Sequence, residues 1–331
     1  MYTDPPTPAS AWSAPLARTP LSGIQHSIRA GDYEAVIAGV GASLRSLTYR
    51  DRDLVVPFDA DEVRPAFRGA TLAPWPNRVV DGTYEFGGET HQLPLTEPAR
   101  GHALHGLVAW LEFHVIDKDP SHVTLAGVIE AQAGYPWRVI VETTFALNSE
   151  GLTQVVTARN DGPVAVPWGT APHPYLVAGS SPLDEWTFGL PAAQVLTVTE
   201  DRLISTGLHP VEVDAARFDF RTPRPIGSVE IDQAFTGFTR DADGLARATV
   251  TDAAGSGVAM VWDESCPWVQ IHTADLAGGA ANPNNRLGLA IEPMTCAPDA
   301  FNAGAADFDA GLIVIEPGAT ATAQWRIEAI G

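Results

Sequence analysis

Apolar and polar residues alternate with a period of two along much of the chain. Tyr33–Ala38 (YEAVIA), His122–Ile129 (HVTLAGVI), Arg138–Leu147 (RVIVETTFAL) and Gln154–Ala158 read as strands. So do Gly257–Trp262, Trp268–His272, Leu287–Ile291, Leu312–Glu316 and Thr320–Ile330. Tyr84–Phe86, followed by Gly87-Gly88 and a second polar–apolar run, predicts a hairpin closed by a two-residue primed turn. Asp81-Gly82, Asp161-Gly162 and Pro317-Gly318 mark further turns. Long amphipathic helices are absent from the pattern, and 27 prolines and 30 glycines spread along the chain would break them. Many short strands with turn residues between them predict an all-β fold, a large sandwich or barrel. With no internal repeat and no linker to divide it, the chain reads as one β domain.

Composition sharpens this picture. A chain of 331 residues, 45% hydrophobic and 18% charged, is globular and buries a sizeable core without staples. The opening MYTDPPTPASAWSAPLARTPLSG lacks the basic region and apolar run of a secretory signal. Its Pro, Ser and Thr content predicts a flexible tail over residues 1–22, ahead of a domain over 23–331. No window has the ~18 consecutive apolar residues of a membrane span, so the expectation is a soluble cytoplasmic protein with no membrane partner. Forty acidic against 20 basic residues give a net charge of −20, and Lys118 is the only lysine. Such a chain repels nucleic-acid phosphates, and it disfavours a strongly anionic ligand unless local arginines override the global sign. Cys266 and Cys296 form no C-x-x-C pair and read as two small buried hydrophobes in a reducing compartment.

Four segments place polar residues among apolar, Pro-, Gly- or Trp-rich flanks: APWPNRV with Asn77 and Arg78, GHALHG with His102 and His105, PWGTAPHPYL with His173, and AIEPMTCAPDAFN with Glu292. Glu292 follows the apolar run LGLAI, so it is expected at the end of a buried strand. Burial there raises a carboxyl pKa toward the range of a general base, while the plain alternative is a strand-end carboxylate capping a turn. Two flanking prolines place His173 on a stiff loop between Trp168 and Tyr175, whose aromatic faces suit the C–H faces of a sugar; otherwise it is an ordinary loop histidine. His102 and His105, three apart, point to opposite faces of a strand, so a metal pair is disfavoured and one of them is expected to face a cleft. Arg78 offers a planar fork of donors to hydroxyls, or else pairs with a structural carboxylate. Asp232, in SVEIDQAFTGF, is a hydroxyl acceptor or a turn residue. No G-x-S-x-G elbow, P-loop or helix-opening G-x-G-x-x-G is present.

In this order, Asn-Arg, Leu-His-Gly, His-x-Tyr, an Asp in an apolar stretch, and Glu ahead of Pro-Asp-Ala-Phe-Asn, the segments resemble the aldose 1-epimerase (galactose mutarotase) family. The likeness runs from about Ser22 to Ile330. It implies a large single-domain β-sandwich, the supersandwich of galactose mutarotase-like proteins, with the sugar in a concave sheet. It implies substrate binding by Arg78, His105 and Asp232, with Asn77, Trp168 and Tyr175 beside them. His173 matches the general acid and Glu292 the general base. Pro172 before the second histidine, Leu176-Val177 after the tyrosine, Leu107 after His-Gly and Pro293-Met294 after the glutamate depart from the main branch and point to a divergent bacterial-type one.

The implied reaction is anomer exchange of a free aldohexose, a small-molecule partner, without metal, redox change or cofactor. Glu292 as carboxylate takes the C1 hydroxyl proton, and His173 as imidazolium protonates the ring oxygen. The open-chain aldehyde turns about C1–C2 and recloses. Trp75 and Trp268 are further stacking candidates. Alternative readings are a non-catalytic sugar-binding protein, a carbohydrate lyase or hydrolase, and a hexose-6-phosphate epimerase. The last needs an arginine cluster, for which Arg45, Arg64, Arg68 and Arg100 are candidates. Sugar preference and oligomeric state stay open at this level.

Overall fold

The two-residue alternation becomes strand geometry over most of the chain. The structure, a computed structural model, describes residues 18–305 and 307–331. Strands form with the expected bounds at Tyr33–Ala38, His122–Ile129, Gly257–Trp262, Trp268–His272 and Thr320–Ile330. Val139–Asn148 and Gly151–Asn160 are longer or shifted, because they pair along their whole length across a two-residue turn. Gly87 and Gly88, with φ of 64° and 82°, close the hairpin Thr83–Phe86/Glu89–Gln92, the backbone a primed turn requires.

Two sheets dominate the described residues. A nine-stranded sheet has Val139–Asn148, Gly151–Asn160, Thr320–Ile330 and Gly257–Trp262 at its centre. A six-stranded sheet runs in spatial order Tyr175–Leu176, Leu289–Met294, Trp268–His272, Asp232–Phe238, Ala192–Val198, Ser205–Pro210. Val141, Phe145, Val156, Val258 and Ile327 of the first share one buried cluster with Val195, Phe235, Val269, Ile271 and Ile291 of the second. The N-terminal meander adds Ile28, Ile37 and Leu47 to it. Each such side chain stabilises the fold by roughly 1.5–3 kcal/mol of apolar burial, and one shared cluster makes the sandwich a single domain.

Alternation fixes what the other face of the six-stranded sheet carries. In WVQIH, Val269 and Ile271 point into the shared core, so Gln270 and His272 point away from it. In LAIEPM, Leu289 and Ile291 are core, which leaves Glu292 on the same outward face as Gln270. Register completes the arrangement, since Gln270 pairs with Glu292 and His272 with Asp232.

Some expectations change. Glu292 lies inside the strand Leu289–Met294, not at its end. Its neighbour Tyr175–Leu176 pairs only with Ala290 and Leu289, so Pro293, which lacks an N–H, falls beyond that ladder and the strand continues through it. Leu312–Glu316 shortens to Ile313–Ile315, paired with Val166–Trp168. Of the expected tail, residues 1–17 lie outside the described residues, whereas Ser22 is buried and bonds Ala60 through both its N–H (3.0 Å) and its hydroxyl (2.8 Å). Cys266 and Cys296 are buried free thiols, both pushed up to about 12 by burial. Among the described residues no helix is long and apolar enough to cross a membrane.

Candidate active site

The outward face of the six-stranded sheet forms one wall of a cavity of about 140 Å³, to which Glu292, Gln270, His272 and Asp232 contribute. Segments outside that sheet line the rest, with Ala66-Phe67, Asn77-Arg78, His105 and His173, while Tyr175 comes from the sheet's own edge strand. The cavity opens into a groove of about 870 Å³ that shares Arg78, Asp232, His272 and Leu276 with it.

Each loop residue is held by its backbone. His173 donates its N–H to Ala70 O (3.0 Å), and its carbonyl accepts from Gly69 N (2.8 Å), while Ala171-Pro172 pairs with Thr71-Leu72. The strand Arg78–Val80 pairs with His102–Leu104, which brings Arg78 beside His105, and His105 N donates to Asn77 O at 2.8 Å. Gly106 follows at a φ of 74°, with the position of a Cβ only 2.1 Å from Ala73 O, so only glycine fits behind His105. The Pro-Asp-Ala-Phe-Asn segment anchors the same strand. Asp299 N donates to Arg78 O (2.8 Å), and its carboxylate accepts from Val80 N (2.9 Å) and Asn302 Nδ2 (2.8 Å).

His173 Nε2 lies 3.5 Å from Glu292 Oε1, with side chains 6% and 2% exposed. Their separation is loose for a hydrogen bond. The Tyr175 ring stacks on the His173 imidazole at 5.1 Å, and its hydroxyl donates to Ala66 O at 3.2 Å. Phe67 packs against His105 at 4.7 Å and lies nearly parallel to His173 at 6.3 Å. Gln270 Nε2 donates to Asp232 Oδ1 (2.7 Å), and Arg78 Nη2 approaches Asp232 Oδ2 (4.0 Å).

Burial governs the electrostatics. It raises the Glu292 carboxyl well above its ordinary range, with Asp232 adding to the effect and Arg78 opposing it. It lowers His173 to about 3 and His105 well below the usual imidazole value. Burial also opposes ionisation of Asp232, but His272, Arg78 and Gln270 outweigh it and hold that carboxyl below its usual range. Burial therefore favours a neutral His173 and pushes the proton toward Glu292, against the proton placement expected from sequence. Five buried polar atoms without a protein partner, Glu292 Oε2, His173 Nδ1, His105 Nδ1, His272 Nδ1 and Gln270 Oε1, belong to residues of this one cavity. Such atoms are costly to leave unsatisfied, and a ligand dense in hydroxyls matches them.

Of the residues singled out from sequence, Glu292, His173, Arg78, His105, Asp232, Asn77 and Tyr175 come together here. Trp168 does not: it is 1% exposed within the shared core, so its bulk packs the sandwich and cannot reach a sugar. Trp75 and Trp268 are likewise buried among apolar side chains. His102 is structural, accepting from Asp81 N at Nδ1 (3.2 Å) and, by that tautomer, donating from Nε2 to Arg202 O (2.9 Å). The arginines weighed for phosphate do not cluster in the cavity. Arg64 bonds Val40 O and Ala109 O, Arg45 bonds Phe58 O, Arg68 bonds Pro57 O and Asn284, and Arg100 pairs with Glu97. Sequence reading missed Phe67, Gln270 and His272. The last two were signalled by alternation within WVQIH; Phe67 had no signal, because an irregular turn delivers it.

Comparisons with known proteins agree with this fold. The family model described as "Aldose 1-epimerase" matches residues 25–328. The "Uncharacterized protein YihR" of Escherichia coli (strain K12) is 35% identical over 285 residues, 86% of this chain and 87% of that protein. Among solved structures, a GalM/aldose epimerase homologue from C. elegans superposes with a TM-score of 0.79 at 20% identity, covering 92% of this chain and 98% of its own. A galactose 1-epimerase from Lactobacillus acidophilus NCFM gives 0.71 at 19% identity, covering 90% and 92%.

Proposed function

The chain belongs to the aldose 1-epimerase family, and from that premise we propose that it is a mutarotase, interconverting the α and β anomers of a free aldohexose at Glu292 and His173. The observation that carries this reading is the solvent-shielded approach of His173 Nε2 to Glu292 Oε1, 3.5 Å apart in one cavity.

The pair needs one proton between its two groups. With the proton on His173, the Glu292 carboxylate takes hydrogen from the C1 hydroxyl while the imidazolium delivers its own to the ring oxygen. The C1–O5 bond breaks and the aldehyde forms. This step converts a buried ion pair into a neutral carboxyl and a neutral imidazole, the placement burial favours, so the open-chain state is the one the protein's electrostatics assist. Rotation about C1–C2 presents the other aldehyde face, the O5 hydroxyl returns its proton to His173, Glu292 reprotonates the new C1 oxygen, and the site regains its starting state. Arg78, His105 and Asp232 hold the remaining oxygens, and Phe67 joins the expected Tyr175 in offering aromatic faces, in place of Trp168. A neutral sugar suits the charge balance, because Glu97 and Asp232 flank the Arg78 guanidinium.

Polarimetry on freshly dissolved α-glucose and α-galactose tests the reading, with 6-phosphates and disaccharides in the same panel. Equilibration faster than the buffer rate, lost in Glu292→Gln, is the expected result. Sugar binding without faster mutarotation would replace it with a non-catalytic role, and rates confined to the phosphates would move the substrate class.

A further inference from the structure

The charged residues of the cavity are tied to a carboxylate outside its lining. Glu97 accepts from Arg78 twice, from Nε at Oε2 (2.7 Å) and from Nη2 at Oε1 (3.1 Å), and the two side chains are 12% and 11% exposed. The third guanidinium nitrogen, Nη1, is 3.3 Å from Asn77 Oδ1. Glu97 Oε1 also accepts from Arg100 Nη1 at 2.8 Å, on the groove side. Charges thus alternate from groove to cavity: Arg100, Glu97, Arg78, Asp232.

The backbone places Glu97 with equal firmness. Its carbonyl accepts from the N–H groups of Arg100, Gly101 and His102, and its own N–H donates to His102 O. His102–Leu104 in turn pairs with Arg78–Val80, so the turn that carries Glu97 is fastened to the strand that carries Arg78. A bidentate carboxylate fixes the plane of a guanidinium as well as its position. Without it, the Arg78 side chain would keep one contact to Asn77 and a 4.0 Å approach to Asp232.

We propose that Glu97 is a positioning residue for the reaction: it fixes the plane in which Arg78 meets the sugar, and it sets how much positive charge Arg78 presents to Glu292. The catalytic half of this statement rests on the mutarotase reading; the aiming of Arg78 at a bound sugar does not. The charged and titratable groups around Glu292 are His173, His105, His272, Tyr175, Asp232 and Arg78, and of these Arg78 is the one Glu97 touches. Removing the Glu97 charge leaves the guanidinium less compensated. The Glu292–His173 pair then holds its protons less tightly, and both limbs of its pH profile move to lower pH.

The test is Glu97→Gln in the full chain, read by kcat, KM, the pH profile of kcat/KM and a sugar-binding isotherm, with Glu97→Asp and Arg100→Gln beside it. In Glu97→Gln the expected result is a KM and Kd higher by about 10–100-fold, the range of a lost charged hydrogen bond. Its profile moves down by on the order of half a pH unit. Glu97→Asp keeps the charge and leaves the profile in place, and Arg100→Gln, which gives Arg78 more of the Glu97 charge, moves it up. A folded Glu97→Gln with wild-type KM and profile overturns the proposal, as does lost activity with an unmoved profile. If Glu97→Gln does not fold, an unmoved profile in Arg100→Gln overturns it. If the wild type binds sugar without mutarotation, the isotherm alone decides: an unchanged Kd in Glu97→Gln sinks the aiming role independently of the function.

Discussion

Glu292→Gln separates what the carboxyl does for the reaction from what it costs the fold. Glu292 is 1% exposed, and its Oε2 has no hydrogen-bond partner in the protein. In the unfolded chain a glutamate ionises near pH 4.3, whereas burial raises Glu292 well above its ordinary value in the folded state. Between those two values the folded state binds the extra proton. Stability is therefore full below the unfolded pKa and declines as pH rises through the folded one, by about 1.36 kcal/mol for each pH unit separating them. Glutamine keeps the shape and cannot ionise, so the variant escapes the decline. Thermal unfolding of both proteins at pH 4, 6 and 8 should show equal midpoints at pH 4 and a more stable variant at pH 8. The expected gain is about 1–3 kcal/mol or more, the excess cost of burying a charged over a neutral group of the same shape without a full set of partners, or roughly 2–4 °C per kcal/mol at most for a chain of this size. The same variant should lose a factor of about 10²–10⁴ in mutarotation rate, the contribution of one positioned proton-transfer group. A Glu292→Gln protein less stable than wild type at pH 8 refutes the electrostatic argument, since it would mean that the carboxylate is ionised and well paired in the fold.

Three other outcomes follow from the same geometry. The pH profile of kcat/KM should be a broad bell belonging to the coupled pair, with its acid limb well below the ordinary imidazole value of about 6.5, because burial lowers His173 to about 3; an acid limb near 6.5 would contradict a histidine that is neutral at rest. Phe67→Ala should raise KM by about 2–10-fold with little change in kcat, the worth of one aromatic contact, and an unchanged KM would remove Phe67 from the sugar site. Trp168→Ala should lower stability to chemical denaturation by about 3–5 kcal/mol, while Trp168→Phe keeps the wild-type KM; a raised KM in the phenylalanine variant would return Trp168 to the site.

The sheets were legible in the chain because their cause is local. An alternation such as HVTLAGVI dictates one buried face whatever its partners, a continuous apolar run such as GVAMVW dictates a strand buried on both, and both strands formed with the bounds read from sequence. What pairs with what was not legible, since the ladder joining Trp268–His272 to both Leu289–Met294 and Asp232–Phe238 links segments far apart in sequence. For the same reason Glu292 was placed at a strand end: the apolar run LGLAI stops at Ile291, and only the pairing shows the strand continuing through Pro293 past its short neighbour Tyr175–Leu176. Trp168 was misplaced because an aromatic beside a functional histidine looks alike in sequence whether it faces a sugar or a core. Glu97 carried no signal at all, because its importance lies wholly in reaching Arg78.

The two walls of the cavity divide the work in a way the backbone records. The sheet wall presents Glu292, Gln270, His272 and Asp232 from hydrogen-bonded strands in fixed register, so their spacing is set by the ladder. On the loop wall, Ala66, Phe67, Asn77 and His105 all have positive φ, at 45°, 55°, 54° and 61°. Side chains adopt that conformation only against a steric penalty of order 1–3 kcal/mol each, which the surrounding structure must offset. Here the offset is visible: Asn77 O accepts from His105 N, Arg68 N donates to Pro65 O to close the turn around Ala66-Phe67, and Tyr175 donates to Ala66 O. Relaxing any of these residues to ordinary backbone would swing its side chain off the cavity. The strained loops therefore sit where aim matters, opposite a sheet stiff enough to aim at.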